Sequence, residues 1–163
     1  MNIFVADIGQ GNAHFYDSGA DKFYGKMNDI DLININIPGI KNGDCIVVED
    51  AHLRESHENT LAQPFSYEQL EQFEKNAARI GITILAFPQK CTPKARKLAG
   101  VEAKSDEVDT RAIANFLIKD QKAFACLKEF TPTRLMDYQE KNQHIFEYIQ
   151  QVNEDINPAR SST

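Results

Sequence analysis

Apolar and polar positions fall into short strand-like blocks near the N-terminus and into helical stripes further on. Residues 2–7 (NIFVAD) form a short apolar run ending in a carboxylate, and Gly9 and Gly11 permit a tight turn after it. Residues 13–16 and 22–24 read as two further short strands, parted by the turn-like Asp17-Ser18-Gly19. These three predict a meander. Residues 30–37 alternate apolar with polar and predict an extended segment, cut short by Pro38 and Gly39. Residues 44–49 (DCIVVE) carry a buried-strand pattern that again ends in a carboxylate.

Residues 52–63 are polar and read as a loop. Ser66 stands where a helix N-cap belongs, Gln69 can close a capping box, and Phe65 and Leu70 occupy hydrophobic-staple positions. Glu68 and Glu71 suit the positive end of the helix dipole. Leu70, Phe73, Ala77 and Ile80 recur at helical spacing up to Gly81, a C-cap candidate. Residues 82–87 (ITILAF) predict another buried strand, and Pro93 suits the first turn of a short basic helix ended by Gly100. Val108, Ala112, Ile113 and Phe116 mark an amphipathic helix over 106–118. A last helix is expected over about 135–156, with Tyr138, Ile145, Ile149, Val152 and Ile156 as its stripe, then a frayed tail. Three strands, a strand, a helix, a strand and then helices predict an α/β fold: a mixed five-stranded sheet with helices on its faces.

At 163 residues and 42% hydrophobic composition the chain can bury a real core as one domain with a short appendage. No apolar run approaches the ~20 residues of a membrane span, and the start lacks the basic flank of a secretory signal. Three cysteines without metal-ligand spacing, Cys45, Cys91 and Cys126, suggest reduced thiols and a cytoplasmic location. The net charge of −6 argues against a nucleic-acid partner. Residues 88–104, however, hold five basic side chains, Lys90, Lys94, Arg96, Lys97 and Lys104, against one acid, Glu102. A local patch of this kind can bind a polyanion although the whole chain is acidic.

The candidate chemistry lies in four acids. If the strands ending in Asp7 and Glu49 are parallel neighbours, both carboxylates emerge at one sheet edge, where open α/β sheets bind ligands. Asp106 and Asp109, spaced i, i+3 at a helix start, share one face. Four converging acids repel one another unless cations sit between them, and oxygen-rich sites suit Mg²⁺ or Mn²⁺. Two such ions can drive phosphodiester hydrolysis. Each acid also has an ordinary use: a strand-end Asp as a turn residue, Asp106 as an N-cap, Asp109 as the third residue of a capping box.

The order Asp…Glu…Asp-x-x-Asp, carried by FVADIGQGNAHF, IVVEDAH, ITILAFPQKCTPKARKLAG and KSDEVDTRAIANFL, resembles the RuvC-type Holliday junction resolvases and the DEDD domain of Piv-type invertases and transposases. KSDEVDTRAIA, with its short gap from strand 82–87, is closer to the transposase pattern, whereas the total length is resolvase-like. The resemblance implies an RNase H-like nuclease domain over 1–130, a helical extension over 131–163, and two-metal cleavage of branched or transposon-end DNA. The metal ligands and catalytic residues would be Asp7, Glu49, Asp106 and Asp109, and a homodimer is expected. Lys90, Lys94, Arg96, Lys97 and Lys104 would lie where phosphates run. His52 and His57 flank the expected site and can aid proton transfer. Glu55 and Glu58 are expected in solvent, Asp50 on the opposite face, and His14 and His144 in structural roles. Two other readings use the same residues. Asp7-Ile8-Gly9-Gln10-Gly11-Asn12 resembles the first phosphate loop of actin-like ATPases, and a catalytically silent DNA-binding protein would suit the net charge.

Overall fold

The computed structural model describes residues 1–9, 12–53, 65–100, 105–132 and 143–156. The N-terminal blocks form the expected meander. β1 (Ile3–Ile8), β2 (Ala13–Asp17) and β3 (Lys22–Met27) pair antiparallel, with Asp7 of β1 opposite His14 of β2. β4 (Cys45–Glu49) runs parallel to β1, and β5 (Thr83–Phe87) parallel to β4. A short strand, β6 (Lys128–Glu129), pairs antiparallel with β5. Among the described residues the mixed sheet therefore has six strands, ordered β3-β2-β1-β4-β5-β6, where the pattern predicts five. The extra strand is too short for alternation to announce it.

Side chains alternate across a strand, so β1 and β4 each feed two cores. Phe4, Ala6, Ile8, Ile46 and Val48 face one side, closed by α1 (Asp29–Ile33) and α2 (Tyr67–Ile80). Ile3, Val5, Cys45 and Val47 face the other, closed by α3 (Thr92–Leu98), α4 (Asp106–Lys119), α5 (Gln121–Cys126) and α6 (Gln143–Ile156). Asp7 and Glu49 continue this second alternation, so both carboxylates leave their strands on the α3–α4 side.

The helix α2 starts as its sequence implies. The Ser66 hydroxyl accepts from the Gln69 amide at 3.2 Å, and the Ser66 amide donates to Gln69 Oε1 at 2.9 Å. Residues 30–37 differ from the extended reading. Asn28 caps α1 by accepting from the Asp31 amide at 2.7 Å, and Asp29 and Asp31 favour the first turn. Leu32, Ile33, Ile35 and Ile37 still reach the core, but from a helical turn followed by a reversal at Ile35, whose φ is 58°. The cap outweighs the alternation. Of the expected last helix, residues 135–142 lie outside those described. Ile145 and Ile149 of α6 are fully buried in the second core, where α6 packs on α3 and α5. Among the described residues no helix is long and apolar enough to cross a membrane, and the three cysteines are free thiols.

One buried polar contact ties α2 to the segment that departs from expectation. Asn76 is buried; its side-chain amide donates to the Ile33 carbonyl at 2.8 Å, and its Oδ1 accepts from Gln72 at 2.9 Å. Asn76→Ala leaves that carbonyl without its partner and should lower the unfolding free energy by ~1–3 kcal/mol in urea titrations. A change below about 0.5 kcal/mol would mean that this link holds nothing.

Candidate metal centre

Parallel pairing brings two carboxylates to one sheet edge. Ala6 pairs with Val48, so the next residues along the two strands, Asp7 and Glu49, stand side by side. α4 packs on β1 and β2. Its Asp106, Asp109, Ile113 and Phe116 recur at helical spacing, and Ile113 and Phe116 are buried in the second core. The two acids thus prolong the stripe that meets the sheet, beyond the sheet's own edge. The N-cap of α4 is Ser105, whose side chain accepts from the Val108 amide at 3.1 Å. Asp106 is released from the capping use its position suggests.

Asp7 and Asp106 share a side-chain hydrogen bond, and the charges of Glu49 and Asp109 both act on Asp7. Neighbouring groups hold these acids in place. The Thr92 hydroxyl, at the start of α3, donates to Glu49 Oε2 at 2.8 Å. Arg96 Nε lies 3.4 Å from Asp109 Oδ1. His14 Nε2 lies 3.6 Å from Asp106 Oδ2, while its Nδ1 accepts from the Lys26 amide at 3.3 Å and its ring stacks on Phe23. His52 Nδ1 lies 3.9 Å from Asp7 Oδ1.

The electrostatics follow from crowding and burial. Burial, then the hydrogen bond and charge of Asp106, then the charges of Glu49 and Asp109, push Asp7 up to about 8. Burial raises Glu49 to about 7; the Thr92 hydrogen bond opposes this, and the charges of Asp109 and Asp50 add to it. Burial lowers His52 to about 4 against the pull of Asp106, so its imidazole is neutral at pH 7. Without a cation, protons do the neutralising.

All four acids expected at the site meet there. The basic residues divide. Lys90 is exposed on the turn after β5, and Lys94 and Lys97 are half-buried on α3. Arg96, expected on the phosphate path, is instead only 8% exposed and holds Asp109. Apolar packing at the α3–α4 contact draws its stem inward, and the nearest carboxylate receives its charge. Lys104, Glu55, His57 and Glu58 lie outside the described residues, as do Gln10 and Gly11 of the glycine turn and the side chain of His144. Asp50 is buried and accepts from the Gln89 amide at 2.9 Å, and its charge reaches Glu49.

Three residues enter with roles beyond those the sequence suggests. His52, expected in a loop as a proton carrier, sits buried in a 3₁₀ turn (Asp50–Leu53) directly after β4. Its spacing of i+3 from Glu49 is the signal, because one such turn returns a side chain to the same side. His14 is announced only by the strand register opposite Asp7, and Thr92 only by the closeness of α3 to β4. Among the described residues, Asp7, Glu49 and His52 form a group whose donor atoms all lie within 4.8 Å of one another and which could hold a metal ion. Two carboxylates, a neutral imidazole and two more acids alongside suit a divalent cation. Comparison with known proteins yields no match to any family, curated protein or solved structure.

The shifted groups make stability depend on pH and on metal. Folded Asp7 keeps a proton between about 3.8 and 8 that it gives up when unfolded, and Glu49 does so between about 4.5 and 7. Their stabilisation is full below those unfolded values and is lost as pH rises. His52 acts oppositely: its contribution is full above 6.5 and lost toward about 4. From pH 6.5 to 8, therefore, the carboxyls alone of these three act, and the melting temperature in chelator should fall. Added Mn²⁺ should raise it, and more so at pH 8, because binding displaces the held proton. Scanning fluorimetry checks this; a melting temperature in chelator that is flat or rises over that window contradicts it.

Proposed function

We propose that this protein is a metal-dependent endonuclease of RNase H-like fold, akin to the RuvC-type resolvases, that hydrolyses strands of branched DNA. The reading rests on one observation: acids far apart in the chain, Asp7, Glu49 and the Asp106–Asp109 pair, meet at a single sheet edge. An antiparallel meander followed by two parallel strands, with helices on both faces, supports the fold assignment. The acids at two strand ends and one helix start match the pattern that carries the resemblance.

Asp7, Glu49 and His52 would hold the cation, with Asp106 and Asp109 beside them. Bound Mg²⁺ or Mn²⁺ would supply activation of a water and neutralisation of charge building on the phosphodiester. The chain's own groups do the rest. Thr92 ties up one oxygen of Glu49 and so fixes which oxygen faces the site. Arg96 orients Asp109. His14 accepts a backbone hydrogen bond on Nδ1, which turns Nε2 toward Asp106. Lys90, Lys94 and Lys97, on the turn and helix that leave the same edge, would meet the DNA backbone and offset the overall charge of −6 locally. A two-fold homodimer would present two such edges to the two equivalent cuts of a four-way junction.

Incubation with linear, forked and four-way DNA in Mg²⁺ and Mn²⁺, with mapped products, tests the reading. Nicking of branched substrates is expected. Loss of an outer partner of a metal ligand typically lowers activity about 10–100-fold, so Thr92→Val should fall in that range and Asp7→Asn should lose more than ~100-fold. An Asp7→Asn protein that cuts as well as the unaltered one removes the assignment. Junction binding without cutting under either metal leaves a scaffold instead.

A further inference from the structure

Within the acid cluster one buried ring nitrogen lacks a hydrogen bond among the described residues. His52 is 8% exposed, and its Nδ1 makes no hydrogen bond among the described residues. A buried polar nitrogen left this way is destabilising, and buried polar atoms are nearly always paired. An ordinary core histidine would have a partner. Nδ1 lies 3.9 Å from Asp7 Oδ1. The turn that carries it is anchored: Ala51 and Leu53 are buried, and Asp50 accepts from the Gln89 amide. The imidazole is therefore held in place beside the carboxylates.

Resting on the metal-centre reading above, we propose that His52 is a nitrogen ligand. It completes with Asp7 and Glu49 a mixed site that prefers a transition-series divalent ion over Mg²⁺, and Mn²⁺ is the paramagnetic probe of that preference. Ligands about 2.0–2.2 Å from an ion stand at most about 4.4 Å apart, and the three donors here lie within 4.8 Å of one another. Side-chain shifts of a few tenths of an ångström close that gap. A neutral imidazole adds a donor without adding negative charge to an edge that already holds four acids. Mg²⁺ demands oxygen ligands and keeps its waters, whereas imidazole suits ions later in the series. A site of oxygen donors alone would not need a nitrogen here; the buried, unpartnered Nδ1 is what points beyond Mg²⁺.

The test is Mn²⁺ binding to the whole chelator-treated chain, followed by electron paramagnetic resonance with Mg²⁺ competition, for the unaltered chain, His52→Asn and His52→Gln. The unaltered protein should bind Mn²⁺ at least tenfold more tightly than Mg²⁺ and show ¹⁴N modulation in the spin echo. The variants should lose the modulation and bind Mn²⁺ about tenfold more weakly, with Mg²⁺ affinity within about twofold. The ¹⁴N signal of the unaltered protein needs no variant, so misfolding of either substitution leaves the answer intact. Absence of ¹⁴N coupling, or equal affinity for the two ions, overturns the proposal. No DNA enters this experiment: ¹⁴N-coupled Mn²⁺ in a protein that cuts no DNA supports this site and defeats only the nuclease reading, and cleavage without ¹⁴N coupling does the reverse.

Discussion

Like charges cannot crowd a half-buried corner of a protein unless something neutralises them. A pair of carboxylates ~4 Å apart near a protein surface repel by about 4 kcal/mol at an effective dielectric constant of 20. Here Glu49, Asp106 and Asp109 all act on Asp7, and Asp109 acts on Glu49, from the ends of β1 and β4 and the first turn of α4. In the metal-free chain the relief comes from protons: Asp7 shares a hydrogen bond with Asp106 and rises to about 8. A divalent cation offers stronger relief and uses the same oxygens. The geometry of the sheet edge, the inward position of Arg96 and the hydrogen bond from Thr92 all take their meaning from that one repulsion.

The fold creates this repulsion deliberately, through register. Parallel pairing of β1 with β4 fixes Asp7 beside Glu49, and strand alternation turns both toward α3 and α4. The second core continues as far as Val5 and Val47 and then gives way to the two acids. On α4 the apolar stripe of Ile113 and Phe116 gives way in the same direction to Asp109 and Asp106. Where packing stops, charge begins, and the boundary between the two is the site. Because the apolar residues set the register, the acids have little freedom to move apart.

Much of this was legible in the sequence, and the remainder was hidden for identifiable reasons. The capping box of Ser66 and Gln69, the strands ending in Asp7 and Glu49, and the i, i+3 pair on α4 are local signals, readable from spacing alone. Residues 30–37 misled because alternation of isoleucines mimics a strand, whereas Asn28 and the acids after it favour a helical turn. β6 and α5 are too short to show a period. The inward turn of Arg96 depends on contacts between α3 and α4 that no spacing rule conveys, and the i+3 spacing of His52 from Glu49 takes effect only because a 3₁₀ turn follows β4. Basic side chains read as a patch are thus divided by packing: Arg96 serves the acids, while Lys90 is exposed and Lys94 and Lys97 are half-buried.

The most direct measurement is a crystal structure of the protein grown or soaked in Mn²⁺, with anomalous difference maps recorded at the manganese edge. A peak is expected at the ends of β1 and β4, within about 2.5 Å of oxygens from Asp7 and Glu49, together with loss of the hydrogen bond between Asp7 and Asp106. A map with no peak at that edge, and with the Asp7–Asp106 hydrogen bond intact at saturating Mn²⁺, would contradict it.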